Sequence, residues 1–309
     1  MTKVRLGSRG SALALRQAEL VTQALTAHWT DLTVELIIIK TSGDRFAQAD
    51  LRRIGGKGLF VREIEEALLA GTIDLAVHSL KDLPAEIPGG LTLVAFTERE
   101  DPRDVLISRE PGGGLAALRL GAHVGTSSLR RAVQLLNRRS DLRVEPLRGN
   151  LDTRLRKLHD SPLDAIVVAA AGLRRLDVDP PHASVFSPEI MLPAVGQGIL
   201  ALETRGDNET LAHRLERLDH PTSRVAAVAE RAFLSALGGD CHTPIAGYGR
   251  VIDGRLRLDG LVATPDGREV VRDHVEGPSE KAADLGRSLA HQIRAAGGEA
   301  ILAHQRATA

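Results

Sequence analysis

The sequence predicts an α/β protein with two parallel-rich sheets, each flanked by helices, and a smaller α+β domain after them. Over the first two-thirds of the chain, short apolar strands alternate with amphipathic helices, which is typical of sheets covered on both faces. Beyond residue 244 the apolar segments are separated by Asp253-Gly254 and Asp266-Gly267, dipeptides that favour tight turns between antiparallel strands. This change of pattern separates the two kinds of domain.

The alternating region begins with a strand at 4–6 and a helix at 11–29, in which Leu13, Gln17 and Leu20 recur at helical spacing. The elements predicted next, in order, are strand 34–40, helix 61–70, strands 73–78, 91–96 and 105–108, a strand ending at 124, helix 129–138, strand 143–147, helix 151–159, and strands 165–169 and 199–202. In the C-terminal region, helix 221–237 begins at Pro221, a residue suited to a first helical turn. The last predicted elements are strands 245–252, 255–264 and 268–275 and helix 279–296.

Length and composition limit the classes of protein to consider. A chain of 309 residues is long enough for two or three domains, and an apolar content of 43% suffices for packed cores. The 40 basic residues are balanced by 40 acidic ones, which argues against a nucleic-acid binder. No apolar run approaches the roughly 20 residues that cross a bilayer, the first residues lack the apolar segment of a signal peptide, and a single cysteine fits a reducing compartment. We therefore expect a cytoplasmic protein that binds neither membranes nor nucleic acid.

Two strand-to-helix turns resemble each other. The first contains Arg9 and Ser11, and the second contains Ser128, Arg130 and Arg131. A helix N-terminus attracts anions because its free backbone N–H groups and the helix dipole point there. Capping of the helix by serine explains either turn taken alone. The repetition indicates two similar α/β domains that face each other across a ligand cleft.

The polar segment 78–84 follows a predicted strand, at the end where α/β proteins place their active sites. Within it, Asp82 is able to act as a general acid or base, or to stabilise a developing cation. An ordinary solvated loop carboxylate is the alternative interpretation of this residue. Lys81 stands beside it in the same segment.

Two glycine-rich segments have more than one interpretation. Residues 55–58 surround Lys57 without the spacing of a phosphate-binding P-loop, so we interpret them as a mobile lid or as an ordinary connection. The run Gly196-Gln197-Gly198 either lets the backbone approach a ligand closely or serves as a hinge between domains.

Several arginines lie in loops and at helix starts. Because the planar guanidinium group binds carboxylates in a bidentate manner, converging arginines indicate a polyanionic ligand. Solvated surface arginines are the alternative for most of them. The candidates are Arg9, Arg130, Arg131, Arg148, Arg154 and either Arg174 or Arg175.

The only cysteine, Cys241, lies between two glycines and a proline, which places it on a loop after the predicted helix 221–237. A lone thiol forms no internal disulfide bond, so it is a small buried hydrophobe, a surface residue without a role, or a reactive group. The neighbouring His242 is able to help form a nucleophilic thiolate.

These segments together resemble the porphobilinogen deaminase (hydroxymethylbilane synthase) family of tetrapyrrole biosynthesis. Each marker alone is weak, but their common order over nearly the whole chain is highly specific. The markers are residues 6–15, 55–60, 78–84, 125–131, 148–155 and 193–198.

The resemblance implies a transferase that deaminates four porphobilinogen molecules and joins them head to tail on a covalent dipyrromethane primer, releasing the linear tetrapyrrole. It implies two α/β domains like type II periplasmic binding proteins and a smaller C-terminal α+β domain with an antiparallel sheet. The implied boundaries are 1–98 with 198–217 for domain 1, 99–197 for domain 2 and 218–309 for domain 3. The implied oligomeric state is a monomer, and the implied partners are porphobilinogen and the growing polypyrrole.

The resemblance also implies roles for individual residues. Asp82 is implied as the catalytic residue, Cys241 as the thioether anchor of dipyrromethane, and no metal ion is implied. The implied cofactor contacts are Lys81, Asp82, Ser128, Arg130, Arg131 and Arg148. The implied substrate contacts are Arg9, Ser11, Gln17, Phe60, Arg148, Arg154, Arg175 and Gln197.

One residue departs from the family pattern, since Asp240 stands where the family commonly has glycine. A carboxylate next to a thiol disfavours the thiolate form. The residues themselves leave two other classes of protein open. One is a two-lobed receptor for a carboxylate ligand, and the other is a thiol enzyme with Cys241 as a transient nucleophile and His242 as its base.

Overall fold

A computed structural model describes residues 2–45, 61–239 and 243–308, and the fold it describes is α/β with three separate sheets. The chain divides into two compact units. The first comprises Met1–Glu100 and Ile199–Arg224, and the second comprises Asp101–Gly198 and Val225–Ala309. The division into three domains with the boundaries given above stays a prediction.

The strands of the described residues are short. In chain order they are β1 Thr2–Ser8, β2 Leu32–Ile38, β3 Leu75–Ser79, β4 Leu91–Phe96, β5 Asp104–Ser108, β6 His123–Gly125, β7 Arg143–Glu145, β8 Ala165–Ala169, β9 Ala183–Val185, β10 Leu200–Arg205, β11 Ile245–Ile252, β12 Arg255–Ala263 and β13 Val270–Pro278.

The helices of the described residues range from one turn to nearly five. In chain order they are α1 Ala12–His28, α2 Ser42–Arg45, α3 Arg62–Leu69, α4 Leu129–Arg138, α5 Leu151–Asp160, α6 Ala170–Arg175, α7 Glu209–Leu215, α8 Pro221–Leu237, α9 Ala282–Ile293 and α10 Glu299–Thr308. Single 3₁₀ turns span Leu80–Asp82, Leu115–Ala117, Glu216–Leu218 and Ser279–Lys281. In the described part of the chain, no helix is both long enough and apolar enough to cross a membrane.

The sheet of the first unit has the strand order β2-β1-β3-β10-β4. Strand β1 runs parallel to β2 and β3, whereas β10 runs antiparallel to β3 and β4. Leu6, Leu75 and Leu202 on three of these strands are completely buried, and they pack with Leu25 of α1 in one core. These apolar residues favour strands at these positions because the sheet buries them against a helix.

The larger sheet of the second unit has the order β7-β6-β8-β5-β9. Strand β6 runs parallel to β7 and β8, and β5 runs antiparallel to β8 and β9. This sequence of directions is the same as in the first sheet. The repeated topology agrees with the predicted pair of similar α/β folds, and the fold class is confirmed. Both sheets are mixed rather than mainly parallel, because one antiparallel strand enters each.

The smaller sheet β11-β12-β13 is an antiparallel meander, as the Asp-Gly dipeptides predict. Asp253 and Gly254 both have positive φ (49° and 74°), which is typical of a type I′ hairpin turn. The sheet packs on α8 and α9, where Phe233, Leu258 and Leu289 are completely buried.

The last predicted helix, 279–296, is wrong in its extent. A 3₁₀ turn precedes α9, and α9 ends at Ile293. The π-helical segment Arg294–Gly298 follows, and α10 begins at Glu299. The break has a local cause, since Gly297 adopts a φ of 109°, which no right-handed helix contains.

Candidate anion-binding and catalytic site

The turn that carries Asp82 is anchored by its backbone and open at its carboxylate. It follows β3 directly, and its residue Leu80 is buried, with its N–H donating to the carbonyl oxygen of Ile199 (3.0 Å). Asp82 is exposed and Lys81 is half-buried. Because the backbone of the turn is held by the sheet, the carboxylate of Asp82 is presented from a fixed position at the end of a strand.

Gln17 connects helix α1 to this turn. The Gln17 side chain is buried, and its Nε2 donates to Ser79 Oγ (2.9 Å) at the last residue of β3. Arg9 lies half-buried in the turn before α1. Three residues implied as substrate contacts, Arg9, Ser11 and Gln17, are thus grouped in the strand-to-helix turn and the first half of α1 within the first unit.

The two similar turns differ in how their serines are used. Ser11 caps α1, since its Oγ accepts a hydrogen bond from the N–H of Ala14 (3.3 Å). Ser128 holds the corresponding position before α4, but its side chain makes no capping hydrogen bond. Helix capping therefore accounts for Ser11 and does not account for Ser128.

A buried set of ionisable side chains adjoins the Asp82 turn. His78, on β3, places its Nε2 3.0 Å from Oε2 of Glu203 on β10, and neither side chain is more than 4% exposed. Glu65 of α3 is also buried, at 8% exposure. Burial and, to a smaller extent, the negative charge of Glu203 raise the pKa of Glu65, and the charge of His78 opposes the rise; the net result is a pKa of about 7.

This pKa predicts a pH dependence of folding. Because the pKa of Glu65 is higher in the folded chain than in the unfolded chain, its stabilising contribution is complete below the unfolded value and is lost as pH rises through about 7. We expect Glu65→Gln, which stays neutral, to gain stability over the wild type as pH rises from about 5 to about 8. Urea denaturation at both pH values measures this difference, and Glu66→Gln, an exposed neighbour on the same helix, is the matched control. Parallel stability curves for the wild type and Glu65→Gln would contradict the buried, proton-binding role.

In the second unit, Arg130 and Arg131 lie buried at the start of α4, each 5% exposed. Arg130 Nη1 donates to Asp104 Oδ2 (2.7 Å) and to the carbonyl oxygen of Leu192 (2.7 Å). Arg131 Nε donates to Asp104 Oδ1 (2.9 Å), and its Nη1 donates to the carbonyl oxygen of Val167 (3.0 Å). Asp104 is completely buried, so one carboxylate holds both guanidinium groups.

Gln197 also forms a hydrogen bond with the carboxylate of Asp104. It is 1% exposed, and its Nε2 donates to Asp104 Oδ1 (3.1 Å). Gly196 and Gly198 on either side have φ values of 74° and 92°, a conformation that glycine adopts without strain. The sharp path of the backbone through these glycines turns the amide of Gln197 into the arginine pair.

Arg148 and Arg154 lie half-buried around the turn that leads into α5. Arg154 Nε donates to the carbonyl oxygen of Gly149 (2.8 Å). Gly149 has a φ of 115°, and a Cβ atom there would lie 2.6 Å from Cγ2 of Thr153. Only glycine lets this turn close so tightly, and the closed turn brings the two arginines to one end of α5.

Arg174 and Arg175, the two alternatives of the sequence, have different surroundings. Arg175 Nη2 donates to the carbonyl oxygen of Gly198 (2.6 Å), next to Gln197. Arg174 Nη2 donates to Asp101 Oδ2 (2.8 Å), which also accepts from Arg103 Nη2 (2.6 Å). The hydrogen bonds from Arg103 hold the pKa of Asp101 below its usual value, and the charge of Arg174 adds to this.

The predicted residues thus fall into two groups. Arg9, Ser11, Gln17, Lys81 and Asp82 belong to the first unit, and Ser128, Arg130, Arg131, Arg148, Arg154, Arg175 and Gln197 belong to the second. Cys241, Phe60, the glycine-rich residues 55–58 and the Asp240 departure lie outside the described residues. Among the residues that are described, no three His, Cys, Asp or Glu side chains are grouped to hold a metal ion.

The sequence interpretation missed the acidic partners Asp101 and Asp104. Both stand in the segment Asp101-Pro102-Arg103-Asp104, immediately before the predicted strand 105–108. A carboxylate at the first position of an apolar strand is costly to bury unless it is paired. A carboxylate at the start of strand 105–108, in a chain with several arginines of unassigned role, was therefore the signal in the sequence for a buried ion pair.

Comparisons with known proteins identify the family of this chain. Residues 4–213 match the family model described as porphobilinogen deaminase, dipyromethane cofactor binding domain, and residues 225–295 match the model of the C-terminal domain of the same enzyme. The porphobilinogen deaminase of Syntrophus aciditrophicus is 48% identical over 97% of this chain and 98% of its own length. That of Pelobacter propionicus is 47% identical over 97% of this chain and 96% of its own length.

Among solved structures, the periplasmic VFT2 domain of BvgS from Bordetella pertussis aligns with 70% of this chain and 86% of its own, at 16% identity and a TM-score of 0.41. The family models define a transferase that carries a dipyrromethane cofactor. The chain belongs to the porphobilinogen deaminase family. The predicted family, enzyme class, cofactor and role in tetrapyrrole synthesis are therefore confirmed.

Proposed function

We propose that this chain deaminates porphobilinogen and joins four molecules of it head to tail on a dipyrromethane primer held by Cys241. The observation that carries the proposal is the match of residues 4–213 to the dipyrromethane cofactor binding domain. Relatives that bear the name porphobilinogen deaminase align with this chain over 98% and 96% of their own length, which supports the proposal.

The described residues fit a primer with several carboxylates. Each pyrrole carries an acetate and a propionate, and Arg148 and Arg154 are partly open to solvent at one end of α5. Arg130 Nε is buried and makes no hydrogen bond within the described residues. The guanidinium group of Arg130 therefore has one N–H donor that the described part of the protein does not satisfy. Bidentate binding of carboxylates by such guanidinium groups orients the pyrrole rings.

Asp82 is assigned to the chemical step. Its exposed carboxylate, fixed at the end of β3, is suited to accept hydrogen bonds from pyrrole N–H groups. It also offsets the positive charge that develops on the substrate when ammonia departs. Arg9 in the same unit binds the carboxylates of the incoming pyrrole, and Ser11 and Gln17 assist it.

When bound, dipyrromethane supplies the nucleophilic pyrrole carbon onto which the substrate is joined. The chain contributes Cys241 as the thioether anchor, and Ser128, Arg131, Arg148 and Lys81 as contacts that orient the primer. Arg175 and Gln197 orient the substrate, and Phe60 covers the reacting ring.

Three further features belong to the proposal. The enzyme acts as a monomer, works in the cytoplasm, and has three domains with the boundaries 1–98 with 198–217, 99–197 and 218–309. The single cysteine, which fits a reducing compartment, supports the location.

The test is an assay with porphobilinogen as the only substrate. We expect consumption of porphobilinogen with release of one ammonia per molecule and formation of a linear tetrapyrrole. A purified, folded chain that binds porphobilinogen without releasing ammonia would instead indicate a receptor for carboxylate ligands.

A further inference from the structure

We propose that Asp104 is a positioning residue for the primer: its carboxylate fixes Arg130, Arg131 and Gln197 in the one arrangement from which the two arginines bind dipyrromethane. The inference rests on the proposed function and adds a residue to it that does not itself touch the ligand.

The first argument is the division of the carboxylate between its partners. Oδ2 accepts from Arg130, while Oδ1 accepts from Arg131 and from Gln197. The backbone of Asp104 is fixed as well, because it stands opposite Ala169 in β8 and its carbonyl oxygen accepts from the N–H of Phe186 (2.9 Å). A carboxylate held in this way is the one acceptor that all three side chains share, and each of them also donates to a backbone carbonyl oxygen, that of Leu192, Val167 or Pro102.

The second argument is charge. The two guanidinium groups and one carboxylate carry a formal charge of +1 in a place where both arginine side chains are only 6% exposed. Arg130 Nε has no partner among the described residues. Neighbouring buried cations repel each other strongly because water does not screen them. Asp104 makes their proximity possible, and the charge left over favours a carboxylate of the ligand.

Asp101 provides a matched control three residues earlier. Its carboxylate side chain is 5% exposed and also binds two guanidinium groups, those of Arg103 and Arg174. These arginines, however, are 41% and 56% exposed, so water replaces the carboxylate when it is removed. Asp101→Asn and Asp104→Asn therefore remove the same chemical group from an open and from a closed pair of arginines.

The experiment measures primer occupancy by intact-protein mass spectrometry on the full-length wild type, Asp104→Asn, Asp104→Glu and Asp101→Asn. Urea denaturation of each chain measures folding alongside. We expect Asp104→Asn to reduce the fraction of chains that carry the primer at least about tenfold, because a buried charge pair loses one partner. Asp101→Asn should keep the occupancy of the wild type. Asp104→Glu keeps the charge but moves the carboxylate by about 1.5 Å. We expect this chain to fold and to carry the primer at a lower occupancy than the wild type.

Each outcome decides the matter. Full occupancy of a folded Asp104→Asn chain overturns the inference. If Asp104→Asn does not fold, Asp104→Glu decides instead, since full occupancy in that chain means that the position of the carboxylate is unimportant. Loss of occupancy in Asp101→Asn to the same degree also overturns it. A wild type that carries no primer and consumes no porphobilinogen contradicts the proposed function itself and is thereby distinguished from a failure of the Asp104 assignment.

Discussion

Replacing Asp82 with alanine is expected to lower the turnover of porphobilinogen by roughly a hundredfold or more, the usual effect of removing a group that stabilises charge in the transition state. The exposed carboxylate is not part of a packed core, so the chain should fold as before. Steady-state release of ammonia measures the loss, and the unfolding midpoint in urea checks the fold.

Glu86→Ala is the matched control for this experiment. Glu86 is a second exposed carboxylate four positions further along the chain, just beyond the polar segment 78–84, and it should be dispensable. Asp82→Glu adds information, since it keeps the charge while displacing it. Turnover of Asp82→Ala close to that of the wild type would remove Asp82 from the chemical step and return it to the class of solvated loop carboxylates.

Replacing Cys241 with alanine is expected to have an effect of similar size for a different reason. A tethered primer is present at a high effective concentration, and untethered binding forfeits roughly a hundredfold or more of that advantage. The Cys241→Ala chain should therefore lose turnover, and any pyrrole material it holds should separate from it in denaturant.

The neighbouring histidine distinguishes a tether from a transient nucleophile. If Cys241 acted in every turnover with His242 as its base, His242→Gln would lose activity at each cycle. A tether is formed once, so a His242→Gln chain that already carries the primer should turn over as the wild type does. Loss of turnover in fully loaded His242→Gln would favour the thiol-enzyme alternative.

The order of apolar and polar residues was enough to predict the placing of several site residues. Asp82 follows a strand in the structure as it does in the sequence pattern, and Gly149 turns the chain between the predicted strand 143–147 and the predicted helix 151–159. The hairpin turn at Asp253-Gly254 could be predicted because the preference for positive φ is a local property of these two residues. Features that depend on a few consecutive residues could therefore be predicted from the sequence.

Features that depend on residues far apart in the sequence could not be predicted from it. The pairing of Asp104 with Arg130 spans 26 positions, and no periodicity connects them. The direction of β10 has the same limitation, since an apolar strand reads alike whether it pairs parallel or antiparallel. Identical serines likewise acquired different surroundings, as the capping by Ser11 and not by Ser128 illustrates.

The central claim is that Cys241 carries a primer on which the substrate is joined. The mass of the intact wild-type chain under denaturing conditions tests it most directly, because denaturation removes everything that is not covalently bound. The account predicts a mass that exceeds the sequence mass by one dipyrromethane, with the addition confined to the peptide that contains Cys241. A catalytically active chain with the mass of the unmodified sequence would contradict it.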